Sequence, residues 1–259
     1  MDNVTQIHTP PKSFSVERWF GPHVASADLS DELLYSLIEM TDKIIEDKKS
    51  KSMGDMLAGV IDRELKIYKE DLYKAGCSDF LENSVSNYIS RCNLRISENN
   101  LDITSSINSC WVVSQYENEY NPIHIHSGCN VSAILYLKVP DYKNRRNFNS
   151  KKDKGDQDGD IIFTYSSASQ RNNDVLERGI SQIAPKPGLL LLFPSHLQHA
   201  VYPFIGEGER RSISFNAVYT ILNSTKDKDP GVSDRRFQVV GNHLIPTDSY
   251  YTSKKSKNI

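Results

Sequence analysis

Two histidines separated by a single residue are the first feature of the chain that could do chemistry. They are His124 and His126, in the stretch NPIHIHSGCNVSAILYLKVP. In a strand, residues i and i+2 point to the same face, so both imidazoles can aim at one metal ion. A third histidine, His199, follows 73 residues after His126 (199 − 126), near the start of another strand-like stretch. Because histidine is the commonest metal ligand in proteins, the three together predict a metal centre.

A polar pair of a different kind follows the third histidine. Arg210 and Ser212 stand two apart in the strand-like run RRSISFN. They therefore share one face of the predicted strand, and Arg211 between them faces the other way. We interpret Arg211 as a solvent-facing charge.

Four stretches of the chain resemble, in order and spacing, those of one enzyme family. They are QYENEYNPIHIH at 115–126, AILYL at 133–137, LLLFPSHLQHAVYP at 190–203 and GERRSISFN at 208–216. They resemble the iron(II)- and 2-oxoglutarate-dependent oxygenases, near the prolyl 4-hydroxylase-like branch and its uncharacterised bacterial and phage members. The resemblance extends over residues 109–220.

The resemblance implies that His124, His126 and His199 hold iron(II) on one face of the metal. The opposite face then stays open for a chelating cosubstrate and dioxygen. The family's usual triad is two histidines and one carboxylate, and this chain has His126 at the carboxylate position. Either three imidazoles hold the metal, or Glu119 or Asp160 supplies a carboxylate from elsewhere.

A fourth histidine competes for the distal ligand position. His196 and His199 are three residues apart, so in an extended segment they cannot face the same way. The resemblance places the ligand at His199. His196 is then a surface residue or a neighbour of the ligands.

By the same resemblance, Arg210-x-Ser212 matches the motif that binds the distal carboxylate of 2-oxoglutarate. Arginine suits that role because its planar fork grips a carboxylate through two charge-assisted hydrogen bonds. Tyr136 matches a tyrosine that donates its hydroxyl to the same carboxylate. Tyr116 is a further candidate for the wall of this pocket.

The implied reaction is oxidative decarboxylation of 2-oxoglutarate coupled to hydroxylation of an unactivated C–H bond, with ascorbate as a possible further requirement. The branch implies a prolyl residue of a peptide or protein as the substrate, and a small amino acid or a sugar remains open.

Two other functions fit parts of the pattern. One is a non-catalytic, cupin-like module in which three histidines hold zinc or nickel beside a ligand such as a sugar. The other is a three-histidine dioxygenase that does not use 2-oxoglutarate. Neither needs a carboxylate clamp, so the pair Arg210 and Ser212 favours the 2-oxoglutarate enzyme.

The composition is that of an ordinary globular protein. The chain has 259 residues, a formal charge of −2 and four cysteines without CxxC spacing. A near-neutral charge does not mark a nucleic-acid binder, and these cysteines are typical of reduced cytosolic thiols. The first residues lack a signal-peptide core, and no apolar run approaches a membrane span. We therefore expect a soluble cytoplasmic protein, which for a phage member means the host cytoplasm.

The first 93 residues predict a helical support region. Residues 1–28 are expected to be loop with a short strand near Phe14–Phe20. Apolar residues at helical spacing then predict a helix from Ser30 to about Asp47 and a helical region from Asp55 to Cys92, broken at Gly76. We expect these helices to brace a sheet.

From Leu94 the apolar period shortens towards two, which is typical of strands. The candidates are Leu101–Ile107, Cys110–Tyr116, Val131–Val139, Asp160–Tyr165, Ile180–Ala184, Leu189–Phe193 and Ser212–Ile221. Many short strands predict a mainly β sandwich or jelly roll, and the resemblance implies a double-stranded β-helix with flanking helices. This core is placed at 94–225, with an exposed charged loop at 141–159 and a polar tail at 226–259, all in one compact domain.

Overall fold

Two antiparallel β-sheets face each other in a computed structural model that describes residues 13–18, 21–92, 102–141, 157–165, 179–221, 236–240 and 243–247. The elements in the first half of the chain are β1 (Ser13–Arg18), β2 (His23–Asp28), α1 (Asp31–Glu46), β3 (Arg63–Lys66), α2 (Lys69–Lys74), α3 (Ser78–Cys92) and β4 (Ile103–Gln115), with a 3-10 turn at Gly54–Met56. Those in the second half are β5 (Asn121–His124), β6 (Val131–Lys138), β7 (Ile161–Thr164), β8 (Ile180–Ile183), β9 (Leu189–Pro194), β10 (Gln198–Val201), β11 (Arg210–Ile221), β12 (Arg236–Val240) and β13 (His243–Thr247).

The larger sheet has seven strands in the order β1-β2-β9-β6-β11-β4-β3, and the smaller has four in the order β5-β10-β7-β8. Sequence neighbours are often separated in these sheets, as in a jelly roll. The strands that carry the two halves of the predicted site are therefore far apart in sequence but are neighbours within a sheet. The strands β12 and β13 form a separate hairpin within the predicted tail.

One apolar core fills the space between the two sheets. Ile134, Tyr136 and Phe193 of the larger sheet pack there with Ile161 and Phe163 of the smaller sheet. Alternation along each strand sends every second residue into this space. Some of these inward-facing positions are occupied by polar residues, which therefore also lie on the inner face.

A second core lies on the outer face of the larger sheet, beneath the helices. It joins Leu33 and Leu37 of α1 and Leu81 and Val85 of α3 to sheet residues such as Leu135. The first helix is well specified by sequence, because the Ser30 side chain caps it by accepting from the Leu33 N–H at 3.3 Å.

The predicted helical region from Asp55 to Cys92 is wrong in its first part. Residues 63–66 form β3, which pairs with β4 so that Leu65 lies opposite Val112. The apolar spacing that suggested a helix reflects alternation in a short edge strand, and pairing with a long neighbour decides the outcome. The later part is confirmed as α2 and α3, with Gly76 between them at φ 71°.

The remaining expectations are largely confirmed. The strands predicted from Val131 onward appear within one or two residues of their predicted bounds, and the mainly β jelly roll with flanking helices is the fold. The two strands predicted at 101–107 and 110–116 are one continuous strand, β4, and β2 occupies a stretch expected to be loop. Most of the charged loop, at 142–156, lies outside the described residues. None of the described helices is both long and apolar enough to cross a membrane.

Candidate metal centre

Three histidine side chains converge between the sheets. One ring nitrogen of each of His124, His126 and His199 lies within 4.8 Å of the corresponding atoms of the other two. His124 ends β5 and lies directly opposite His199 on β10. His126 follows just after β5, where its backbone N–H donates to the Ser195 carbonyl at 2.9 Å. The pairing of β5 with β10 therefore brings together residues that are far apart in sequence.

Backbone carbonyls orient two of the three rings. The Nδ1–H of His124 donates to the Pro122 carbonyl at 2.7 Å. The Nδ1–H of His199 donates to the Leu197 carbonyl at 2.8 Å. Each contact leaves the Nε2 lone pair free on the side of the cluster, and metal-bound histidines are usually held in this way. His126 Nε2 lies 3.2 Å from His199 Nε2.

All three imidazoles are held in the neutral form that binds metals. Burial lowers the pKa of His124. Burial and the neighbouring His124 lower the pKa of His126 to about 4. Burial, followed by repulsion from the other two rings, lowers that of His199 to about 3. Three neutral imidazoles, of which His199 is buried and the other two are half-buried, fit a divalent first-row transition metal such as iron(II).

Among the described residues, no carboxylate joins this cluster. The Glu119 carboxylate instead accepts from the backbone N–H groups of Asp62 at 2.9 Å and Tyr116 at 2.6 Å. One oxygen of Asp160 accepts from the Gln182 side chain at 2.6 Å. The geometry therefore favours three imidazoles over a carboxylate supplied by either residue. His196 is exposed, in contrast to the buried His199.

Aromatic side chains wall the histidine cluster. The indole of Trp111 lies nearly parallel to the His126 ring, with centroids 6.0 Å apart. The Phe193 ring meets His199 edge-on at 4.8 Å. These rings cover one side of His126 and of His199 and help to hold both imidazoles in position.

A buried guanidinium lies on the inner face of β11. Arg210 is 0% exposed. Its Nε donates to the Gly159 carbonyl at 3.0 Å, and its Nη1 donates to Gln115 Oε1 at 3.0 Å. The Gln115 amide is itself held, donating to the Glu119 carbonyl at 2.5 Å. These contacts fix the fork while its Nη2 has no hydrogen-bond partner among the described residues.

Two buried hydroxyl groups near Arg210 also lack a hydrogen-bond partner among the described residues. Ser212 lies opposite Tyr136 on the paired strand β6, and both are 0% exposed. Neither the Tyr136 hydroxyl nor Ser212 Oγ has a hydrogen-bond partner among the described residues. The Arg210 guanidinium lies 4.9 Å from the centre of the Tyr136 ring. Burial raises the pKa of Tyr136 to about 12, although the Arg210 charge acts in the opposite direction, so its hydroxyl keeps its proton and can donate.

The expectation that Arg211 faces solvent is wrong. It does point to the opposite face from Arg210, but that face is covered by α1, and Arg211 is 4% exposed. Its guanidinium donates to both oxygens of Glu209, at 2.7 and 2.8 Å, and to Asp42 and Thr41 of α1. Alternation along β11 places Arg211 on the face opposite Arg210, and the packing of α1 on that face accounts for its burial.

The remaining predicted pocket residue, Tyr116, does not join the buried group, whereas two residues that the sequence did not single out lie beside the site. Tyr116 directly follows β4 and is 41% exposed, unlike the buried group around Arg210. Trp111 and Gln115 were not singled out as functional. Both share the inner face of β4 with Val113, because the three are every second residue of that strand. Their spacing is therefore a usable signal once the strand is known to be continuous.

Residues 109–216 match the family model described as putative 2OG-Fe(II) oxygenase. This segment is therefore similar to the 2OG-Fe(II) oxygenases. The match includes the three histidines together with Tyr136, Arg210 and Ser212. The family implies iron(II) and 2-oxoglutarate as cofactor and cosubstrate, and the residues described above fit both.

Solved structures of low sequence identity are similar to this chain, and one of them shares its fold. The non-haem α-ketoglutarate-dependent epimerase SnoN from nogalamycin biosynthesis is 10% identical, with a TM-score of 0.51 over 85% of this chain and 92% of that one. A prolyl hydroxylase from Trichoplax adhaerens, in complex with a hypoxia-inducible-factor peptide fragment, is 18% identical, with a TM-score of 0.46 over 79% and 83% of the two chains. A Pseudomonas putida prolyl 4-hydroxylase is 14% identical, with a TM-score of 0.45 over 78% and 91%. No curated protein sequence matches the chain significantly.

Proposed function

We propose that this oxygenase hydroxylates an unactivated C–H bond of its substrate, with iron(II) held by His124, His126 and His199. When bound, the iron supplies the activation of dioxygen, through which 2-oxoglutarate becomes succinate and carbon dioxide and the substrate gains a hydroxyl group. The protein itself binds, orients and excludes water around the reacting groups.

The observation that supports this proposal is the buried group of unpartnered polar atoms around Arg210. Its Nη2, the Ser212 hydroxyl and the Tyr136 hydroxyl are all buried and without a hydrogen-bond partner among the described residues. Leaving a buried donor unsatisfied costs about 1–3 kcal/mol, and more for a charged group. A carboxylate offers acceptors to all three donors at once. The distal carboxylate of 2-oxoglutarate is the group that this pocket fits.

Hydrogen bonds hold the Arg210 guanidinium in place before the carboxylate binds. Gly159 and Gln115 hold Nε and Nη1, so the guanidinium needs little reorganisation when an anion arrives. The same group argues against a module that binds only a metal or a sugar, and against a dioxygenase without 2-oxoglutarate, because neither needs a carboxylate clamp there.

The test is the binding of N-oxalylglycine, a 2-oxoglutarate mimic, to protein loaded with a redox-inert divalent metal. Arg210→Gln should weaken binding by at least about 2 kcal/mol, as for the loss of one partner of a buried charge pair. Ser212→Ala should weaken it by roughly 1.5–3 kcal/mol, the strength of a hydrogen bond to a charged group. The matched control is Arg63→Gln, since Arg63 is exposed, and it should change binding by less than about 0.5 kcal/mol.

Two outcomes would contradict the proposal. Wild-type protein that binds neither N-oxalylglycine nor 2-oxoglutarate would favour the metal-binding module. Equal affinity in Arg210→Gln and wild type would remove the assigned carboxylate clamp.

The motif resemblance favours a prolyl residue of a peptide or protein as the site of hydroxylation. Succinate release with iron(II), 2-oxoglutarate and ascorbate, measured over prolyl peptides, free amino acids and sugars, identifies the class. Release that is stimulated by amino acids or sugars but not by peptides would reject the peptide substrate. Omitting ascorbate in a parallel series shows whether turnover requires it.

A further inference from the structure

An asparagine faces inward from an interior strand of the larger sheet. Asn216 lies on β11, which pairs with β6 on one side and with β4 on the other. It is an even number of residues from Arg210 and Ser212, so its side chain points into the space between the two sheets. The residues opposite it on that face are Ser132 of β6 and Ser109 of β4. Asn216 and these two serines form a polar row across the inner face.

At one end, the polar row reaches a ring that contacts the metal cluster. Ser132 lies opposite Phe193 of β9 on the same inner face. The Phe193 ring meets the ligand His199 edge-on, with centroids 4.8 Å apart. Asn216 is two strand spacings from Phe193, or roughly 10 Å at the backbone. The polar row therefore lies level with His199 along the strands.

The neighbouring row of the inner face reaches a second metal ligand. Ser214, two residues before Asn216 on β11, lies opposite Trp111 of β4. The Trp111 indole lies beside the ring of His126, with centroids 6.0 Å apart. Ser214 and Asn216 thus border the space that the metal cluster also faces.

Burial decreases along the inner face of β11 towards the polar row. Arg210 and Ser212 are 0% exposed, whereas Ser214 and Asn216 are half-buried. Because β6 and β4 cover both edges of β11, solvent reaches these two side chains through the space between the sheets. That space is therefore open in front of Asn216, and a ligand can enter it.

One hydrogen bond orients the Asn216 amide. Its Oδ1 accepts from the Ser132 hydroxyl at 2.9 Å, and Ser132 is 1% exposed. A buried hydroxyl needs this acceptor, so Oδ1 stays turned towards β6. The Nδ2 at the other end of the amide carries two N–H donors, and it has no hydrogen-bond partner among the described residues. Asn216 thus presents donors to the open space beside the metal cluster.

We propose that Asn216 is a specificity-determining residue that donates an Nδ2–H to a carbonyl or carboxylate oxygen of the substrate, close to the carbon that is hydroxylated. This inference rests on the proposed function and adds a required feature of the substrate to it. A prolyl residue within a peptide supplies such an oxygen as its amide carbonyl, and a free amino acid supplies it as its carboxylate. The hydroxyls of Ser109 and Ser214 lie on either side and keep the same space polar.

The test uses two pairs of probes that differ in the acceptor oxygen. One pair is acetyl-Ala-Pro-Ala-amide and the same peptide with a thioamide at the proline carbonyl, since sulfur is a weak acceptor. The other pair is free proline and prolinol, which lacks the carboxylate. Calorimetry measures their binding to metal-loaded protein saturated with N-oxalylglycine. The proteins are wild type, Asn216→Ala, Ser132→Ala and the matched control Asn87→Ala, whose asparagine is exposed on α3.

In wild type and Asn87→Ala, the oxygen-bearing member of at least one pair should bind about three- to tenfold more tightly than the other member, as for one hydrogen bond. Asn216→Ala should remove most of this preference. Ser132→Ala keeps the amide but removes the bond that orients it, so it should reduce the preference. The pair that shows the preference identifies a peptide or a free amino acid as the source of the oxygen.

Equal binding, or no binding, within both pairs in wild type would overturn the inference, as would an undiminished preference in Asn216→Ala. Titration with N-oxalylglycine verifies that each variant retains a formed site. If Asn216→Ala does not retain one, an undiminished preference in Ser132→Ala overturns the inference instead. Wild type that fails to bind N-oxalylglycine would overturn the proposed function itself, so the two failures are distinct.

Discussion

At the scale of single residues, the structure distinguishes the histidine that joins the metal cluster from another histidine three residues before it in the sequence. His199 is 4% exposed and belongs to the cluster, whereas His196 is exposed. His199→Ala should therefore lose most of its affinity for a divalent metal, while His196→Ala should bind like wild type. Calorimetric titration with iron(II) under anaerobic conditions, or with cobalt(II), measures both. Equal affinity of His199→Ala and wild type would reject the assignment of this ligand.

His126 is the residue at which the chain departs from the usual triad of the family. Three neutral imidazoles leave the metal site one unit more positive than two imidazoles and a carboxylate would. His126→Asp should therefore still bind a divalent metal, and more tightly than His126→Ala, because it returns a negative ligand to the site. The same titration, run on both variants, decides this. Equal loss of binding in the two variants would mean that the shorter side chain cannot reach the metal from this position.

Glu64, which is buried on β3, makes stability depend on pH. Its burial, followed by repulsion from Glu119, raises its pKa from an ordinary value of 4.5 to about 7 in the folded protein. The folded state therefore binds this proton more tightly than the unfolded state. The stabilisation is fully present below about pH 4.5 and is lost as the pH rises through 7, by about 3 kcal/mol at most.

Glu64→Gln should remove this loss, so that the variant is more stable than wild type above pH 7. Urea unfolding between pH 4.5 and 8 checks the prediction, with Glu39→Gln as the exposed control. A wild-type pH dependence that Glu64→Gln leaves unaltered would contradict it.

At the scale of elements, β11 carries two consecutive arginines with unrelated tasks. Arg210 faces the site, and Arg211 joins Glu209 and Asp42 beneath α1. Burial opposes the low pKa of the Asp42 carboxyl, but hydrogen bonds from Lys138 and Arg211 hold it below its ordinary value. These ion pairs therefore connect the helix layer to β11, an interior strand of the larger sheet.

Arg211→Met keeps much of the buried side-chain volume but removes the charge, and it leaves the Glu209 carboxylate without its partner. The free energy of unfolding should fall by about 2 kcal/mol or more. Denaturant unfolding measures the change, with Arg63→Met as the exposed control. An unfolding free energy like that of wild type would show that the ion pairs contribute little net stability.

Local patterns predicted some elements well and others poorly. The first helix was predictable because its cap at Ser30 and its apolar stripe agree. The strand β3 was not, because its four residues become a strand only by pairing with β4, more than 40 positions later. Short edge strands have too few residues for their period to be distinguished from that of a helix.

At the scale of the whole molecule, the site likewise has some residues that a local pattern predicts and others that depend on long-range pairing. Alternation within one strand was enough to place Arg210 and Ser212 on one face, and the resemblance selected His124, His126 and His199. The positions of Gln115, Trp111 and Glu64 follow from which strands are neighbours in the larger sheet, a long-range property that one strand's pattern does not contain. The burial of Arg211 likewise depends on where α1 packs.

The carbonyl contacts of His124 and His199 have a consequence for metal uptake. Their Nδ1–H groups are already committed to Pro122 and Leu197, and all three rings are neutral near pH 7. A metal ion arriving at that pH has no imidazolium to displace, and at most one ring, that of His126, has to move a proton between its own nitrogens. Uptake should therefore release almost no protons to the solvent, so the measured heat of binding should be the same in phosphate-free buffers that differ widely in ionisation enthalpy.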